Sequence, residues 1–278
     1  MTEMLSFMAA PLAACLVLVG IHTYFGVHII ERRVLFVDLA VAQFAALGAV
    51  VGFALGHHGG EAGSTLYSMG FAFLAAAFFA LSRERKERIP QEALIGIAFV
   101  VASALAIVVA DRAPEGAEHI KETLSGSLLW VTWPTVLKDL AIYSIVGACH
   151  WLLRRRFMLI SRDPAEAWRR GWRVRGWDFL FYLSFGVIIT FSVEIGGVLM
   201  VFSYLVIPAC IAILFAERML PRLLIGWTAG VAGSILGLGI SFHWDFPTGP
   251  AIVVVLGAML GGAWMLTAFR SETRPASP

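Results

Sequence analysis

Apolar residues come in runs of about 17 to 24, and charges collect in the short stretches between them. As an α-helix, with a rise of 1.5 Å per residue, such a run crosses the roughly 30 Å of bilayer hydrocarbon. The pattern predicts nine spans, near 7–30, 34–55, 66–82, 93–110, 138–153, 178–193, 198–215, 223–240 and 250–269. The predicted fold class is therefore all-α, a polytopic membrane protein of about nine transmembrane helices. No stretch is polar enough to form a separate domain. Residues 1–278 are expected to be one transmembrane domain with a large loop at about 154–177.

Nine spans place the termini on opposite sides, and Lys and Arg residues fix which side is which, since they stay cytoplasmic. The segments 31–33, 83–92, 154–177, 216–222 and 270–278 hold 2, 4, 8, 2 and 2 basic residues, 18 of the 21 in the chain. The other side keeps Arg112, Lys121 and Lys138. This asymmetry predicts an N-terminus outside and a C-terminus in the cytoplasm. The first run has no basic region before it and reads as a retained span rather than a signal peptide.

Composition agrees: 59% of residues are hydrophobic and 14% charged, against about 25% charged in a soluble domain. The net charge of +2 is small, and no nucleic-acid partner is expected. Cys15, Cys149 and Cys210 lie in apolar runs without metal-type spacing or a disulfide framework. Three outer segments carry the polar chemistry: His57–Gly60, the acidic 111–122 loop with His119, and 241–249 with His243, Asp245 and Pro247.

Membrane helices pack through small residues, and glycines four apart recur at 48/52, 226/230, 233/237 and 257/261. They serve either packing within the chain or pairing of two copies. In the second span, Asp38, Ala42, Ala45, Ala49 and Gly52 share one face at 100° per residue. An ionisable group inside a span costs about 3 kcal/mol or more and is a functional candidate by default. Asp38 reads either as such a group or as a cap at the interface. His22 lies about 12 Å into the first span, as a metal-ligating imidazole or a packing residue. Glu194, between two spans, reads as a receiver of cations or as a solvated turn residue. His150 is expected at the interface, next to Arg154–Arg156. Pro208 should kink its span.

The loop after the fifth span contains a helix signal: Asp163 as N-cap, Pro164 at the first helical position, then Ala165, Glu166 and Ala167, with Gly171 as terminator. Such a helix either lies on lipid or docks a partner. No lysine follows a glycine, so the chain lacks the Gly-Lys of a phosphate-binding loop. HExxH and GxSxG are also absent. No catalytic residues are assigned, and any ATP used must be bound by another subunit.

Several segments in order resemble the permease subunits of zinc- and manganese-type metal ABC importers. They are Arg33 with Phe36–Val37–Asp38–Leu39–Ala40, Leu124–Ser125–Gly126–Ser127–Leu128–Leu129–Trp130–Val131, Asp163–Pro164–Ala165, Asp178, Gly197 through Ala209, and Phe246–Pro247–Thr248–Gly249–Pro250. The resemblance implies a multi-pass protein of the plasma membrane (the inner membrane of a bacterium) that acts as a transporter subunit, not an enzyme. It implies cytoplasmic ATP-binding subunits, an extracytoplasmic metal-binding protein and a permease homodimer as partners. It also makes Asp163, Pro164, Ala165, Glu166, Ala167 and Gly171 a coupling helix for the ATPase. Zinc or manganese would be the cargo, with no permanently bound cofactor.

The second span departs from the family's pattern of an aspartate, a histidine four residues later, a small residue and Pro-Gly. The ungapped match puts Leu39 at the acid, Gln43 at the histidine and Leu47–Gly48 at Pro-Gly, with Asp38 one position early. Asp38 and Gln43 stand about 140° apart on a regular helix. Either this helix is irregular or other ligands serve, with His22 as the replacement. The candidate metal residues are Asp38, Gln43, His22, Glu194 and His243. Rival readings are an importer of chelated metal or another small solute, and an ion-coupled secondary transporter.

Overall fold

The structure, a computed structural model, describes residues 2–57, 62–84, 89–111 and 126–272. The outer turn beyond His57 and the 112–122 loop with His119 lie outside the described residues. Every regular element among the described residues is helical: α1 (Thr2–Arg32), α2 (Val37–Ala54), α3 (Ala62–Leu81), α4 (Gln91–Ala110), a 3-10 turn (Leu128–Trp130), α5 (Trp133–Arg162), α6 (Pro164–Arg169), α7 (Val174–Phe215), α8 (Met219–Trp244) and α9 (Thr248–Glu272). All but α6 and the 3-10 turn are long and apolar enough to cross a membrane, eight helices among the described residues. The 42-residue α7 contains two of the expected spans, 178–193 and 198–215. The chain is a multi-pass membrane protein.

The chain divides into two compact units. One holds Met1–Ile30, Leu128–Val136 and Leu199–Pro278. Glycines let its helices touch backbone to backbone. A Cβ on Gly26 of α1 would run into the Leu205 backbone of α7, and one on Gly230 of α8 into Val19. On the other side of α8, Gly233 meets Leu256 and Gly237 meets Ile252 of α9. Polar groups close the remaining gaps: Trp227 Nε1 donates to the Gly20 carbonyl at 3.0 Å, and the Tyr204 and Ser234 hydroxyls pair at 2.6 Å.

The second unit holds Glu31–Ser127 and Leu137–Val198. Here Gly48 of α2 lies against the backbone of Tyr67 and Ser68 of α3, and Gly52 against the Tyr67 ring. Three of the four glycine pairs therefore serve packing within the chain. A Cβ on Gly257 or Gly261 would meet no other helix among the described residues within 4 Å. Along α5 and the first half of α7, rising numbers on one helix meet falling numbers on the other, so the two run antiparallel. Tyr143 pairs with Ser192 at 2.6 Å, His150 Nε2 with Ser184 at 2.7 Å, and Phe157 meets Trp177 and Phe181 edge-on. His150, expected beside solvent-facing arginines, is a buried rung stacked on Phe157. It lies twelve residues before the end of α5, within reach of Ser184.

Asp178 is buried among three helix ends. Its Oδ1 takes Arg32 Nη1 of α1 at 2.5 Å, and its Oδ2 lies 3.2 Å from Arg83, just beyond α3. Arg32 also donates through Nε to Ser161 of α5 at 2.9 Å and lies 3.9 Å over the Phe181 ring. Arg32 and Arg83 counted as solvated loop charges in the orientation argument; both are buried. A guanidinium leaves water when it gains a carboxylate and an aromatic face together.

The helix α7 is broken at Gly197, whose φ of 68° and ψ of 164° suit glycine alone. The break frees carbonyls that an intact helix would satisfy. Ser127 takes two of them: its N–H donates to Ile195 O at 3.0 Å and its hydroxyl to Glu194 O at 3.2 Å. Gly126, at φ 68°, brings the chain so close that a Cβ would collide with the backbone of Gly196 and Gly197.

Two outcomes follow for stability. Asp178→Ala leaves two buried guanidiniums facing each other and should destabilise the protein by about 3–5 kcal/mol, the usual cost of removing one partner from a buried pair. Thermal unfolding in detergent measures it. Gly197→Ala should cost about 1–3 kcal/mol by the same measurement, because the residue must keep a backbone geometry that a Cβ disfavours. An unchanged midpoint for either variant counts against this account.

Candidate functional site

Asp38 sits in the first turn of α2, 2% exposed, and its Oδ1 accepts the N–H of Leu39 at 2.7 Å. The start of α2 is also closed from α4, where Glu92 Oε1 accepts the Phe36 N–H at 3.2 Å. Gln43 is half-buried on the same helix. Because α2 is one continuous helix from Val37 to Ala54, the separation of about 140° between Asp38 and Gln43 stands. The small-residue face below Asp38 is used at Gly52 for the approach of α3.

His22 is fully buried in α1, with Nδ1 at 2.8 Å from the Leu18 carbonyl one turn back. His243, in the last turn of α8, is exposed and lies edge-on to Trp244. Both belong to the unit that contains α8 and α9, whereas Asp38, Gln43 and Glu194 belong to the other. Among the described residues, no three His, Cys, Asp or Glu side chains converge on one point.

Glu194 lies three residues before the break in α7 and is exposed. Its neighbour across the helix pair was not expected from the sequence. Asp139 falls at the edge of the predicted 138–153 span, yet α5 begins at Trp133. Asp139 is therefore about 9 Å inside the helix and 1% exposed. It stands one turn from Tyr143, whose hydroxyl pairs with Ser192, two residues before Glu194. Asp139 and Glu194 are near enough to repel each other electrostatically. The Lys138–Asp139 pair inside an otherwise apolar run was the available signal.

The short helix α6 forms as its sequence dictates. Asp163 Oδ1 accepts the Glu166 N–H at 2.9 Å, Pro164 occupies the first turn, and Gly171 takes the left-handed conformation at φ 73°. Ala167 is buried with Ile160 and Val174, and Trp168, Trp172 and Trp177 pack around them. Glu166 accepts from Arg170 and Arg169, both at 2.8 Å, and these hydrogen bonds hold its carboxyl below the usual glutamate range. The outer face of α6 is thus a fixed array of charges on an apolar footing.

The manganese transport system membrane protein MntB of Synechocystis is 28% identical over 192 residues, which cover 68% of this chain and 61% of that protein. The manganese transport system membrane protein MntC of Listeria innocua is 26% identical over 207 residues, 70% of this chain and 72% of that one. The chelated iron transport system membrane protein YfeD of Yersinia pestis is 27% identical over 187 residues, 66% and 63%. The chain spans just under two thirds of the length of MntB and YfeD. Among solved structures, PsaBC from Streptococcus pneumoniae in complex with Fab matches with a TM-score of 0.77 at 20% identity, over 93% of this chain and 91% of that one. A metal-chelate type ABC transporter in an inward-facing conformation matches at 0.70 and 21% identity, over 92% and 84%. At such identities the likeness shows the fold alone. The sequence pattern of the ABC 3 transport family matches residues 4–266, nearly the whole chain, which belongs to that family.

Proposed function

We propose that this chain is the membrane-spanning subunit of an ATP-driven importer for a divalent transition metal ion. The observation that carries the reading is α6. A capped six-residue helix with the half-buried Glu166 paired to the exposed Arg169 and Arg170 sits directly between α5 and α7 in the chain. That arrangement suits a rigid handle for a cytoplasmic partner better than a lipid contact, since its apolar side is already covered from within by the tryptophans. The chain has no Gly-Lys phosphate loop of its own. The partners are ATP-binding subunits at α6, an extracytoplasmic metal-binding protein that delivers the ion, and a second copy of the permease.

The cargo is read from the relatives, two of them named for manganese transport, and from donor chemistry. The second unit offers the oxygen donors of Asp38, Gln43 and Glu194, which suit manganese. His22 and His243, the candidates of the other unit, suit zinc as well. Passage requires weak ligation by few groups, because a closed cage would retain the ion. A second reading, an importer of chelated metal, is favoured by Gln43, which stands where the family places a histidine, and by the name of YfeD.

Vesicles containing the chain with its ATPase and binding protein should accumulate manganese or zinc only when ATP is supplied. Nucleotide hydrolysis without metal accumulation overturns the reading, and uptake that requires a chelator supports the second one. Asp163→Ala should remove a cap worth about 1 kcal/mol. The ATPase should then co-purify poorly and uptake should fall, while the fold persists by circular dichroism. Full co-purification of this variant removes α6 from the coupling role.

A further inference from the structure

Asp139 presents a problem that the transport reading leaves open. Its carboxylate is 1% exposed, and neither oxygen accepts a hydrogen bond. Its ion-pair partner is Lys138 Nζ at 3.7 Å, beyond hydrogen-bonding distance. That ammonium is itself half in solvent and rests 4.7 Å from the Phe191 ring. A second acid, Glu194, two residues beyond the Ser192 that pairs with Tyr143, is near enough for its charge to act on Asp139. Native proteins rarely leave a buried carboxylate without a hydrogen bond, and a role in binding an ion is one of the few explanations. The Tyr143 hydroxyl, one turn along α5, pairs instead with Ser192 at 2.6 Å.

We infer that Asp139 and Glu194, beside the break in α7, form a binding site for a hard divalent cation, with the Tyr143 and Ser192 hydroxyls next to it and Lys138 as a displaceable counter-charge. Broken helices in transporters commonly place ion sites where the backbone leaves its regular path. The donors are all oxygen, the set preferred by Mn²⁺, Mg²⁺ and Ca²⁺ over the softer zinc ion. Lys138 holds the place of the cation in its absence. Its long stem lets the ammonium swing out to the interface when a divalent ion arrives, so the acids are never left facing each other uncompensated.

The location suits reception rather than release. Asp139 lies 23 residues before Arg162 on α5, roughly 35 Å along the helix from α6. It therefore occupies the end opposite the proposed ATPase dock. Its role as a receiving station rests on the importer reading, whereas its affinity for the cation does not.

The probe is manganous chloride alone, added to the purified full-length permease in detergent, with free Mn²⁺ followed by electron paramagnetic resonance. Wild type should bind one ion per chain. Asp139→Asn and Glu194→Gln should each weaken binding at least about tenfold, the lower range for loss of a group supporting a metal site. Lys138→Gln should tighten it, an effect that a purely structural role for Asp139 does not produce. Excess Zn²⁺ should compete less well than Mn²⁺ competes with itself. Equal affinity in wild type and Asp139→Asn, with both proteins folded by thermal unfolding, overturns the site even where vesicle uptake confirms metal transport. A more stable Asp139→Asn with unchanged binding identifies Asp139 as a neutral, protonated acid and equally overturns it. Intact binding with no vesicle uptake keeps the site and removes the importer reading.

Discussion

Hydrocarbon donates and accepts no hydrogen bonds, so every polar group that enters a membrane must find its partner within the protein. This constraint explains the least regular parts of the molecule. The break at Gly197 would leave carbonyls of α7 bare, and a distant segment, Gly126–Ser127, supplies both the close approach and the donors that cover them. Gly126 is small because the backbone of Gly196 and Gly197 lies where its side chain would go. Gly126–Ser127 and the Glu-Ile-Gly-Gly segment are thus two halves of one hydrogen-bonded repair.

Charges obey the same rule at the other end of the second unit. Asp178 binds Arg32 and Arg83, and Arg32 spreads its remaining donors over Ser161 and the face of Phe181. The cluster joins the ends of α1, α3, α5 and α7. Such clusters add little net stability compared with apolar packing. They do fix which helix ends meet, and the seat of α6 is built between two of those ends.

The sequence made the long helices legible because apolar runs and their length leave few alternatives. It made α6 legible too, since Asp163, Pro164 and Gly171 each carry a specific backbone requirement. The boundary expected between the spans 178–193 and 198–215 falls at the non-helical Gly197, where two helical stretches meet. Arg32 and Arg83 read as topology signals because a basic residue beside a span looks the same on paper whether solvent or a carboxylate receives it. Asp139 drew no notice at the edge of the expected 138–153 span, while α5 starts at Trp133. In each case the missing information was the position of a partner far away in the chain. The proposed metal ligands shared that obstacle: Asp38 and Gln43 could be placed on one helix, but their bearing on any ion depends on what faces them.

The pairing of α5 with the first half of α7 links these observations. From one end to the other it carries the Asp139 and Glu194 acids, the Tyr143–Ser192 bond, the His150–Ser184 bond and the Phe157 ring cluster, and it closes on α6. Each hydrogen-bonded rung contributes about 0.5–1.5 kcal/mol against sliding of one helix past the other. A load applied to α6 enters both helices at once, because α6 is the short bridge in the chain between them. Shear within the pair would break its rungs, whereas moving it as a rod breaks none. On the importer reading, the acids at the far end then share in any movement of α6, about 35 Å away by helix length, without any pathway of side-chain rearrangements between them.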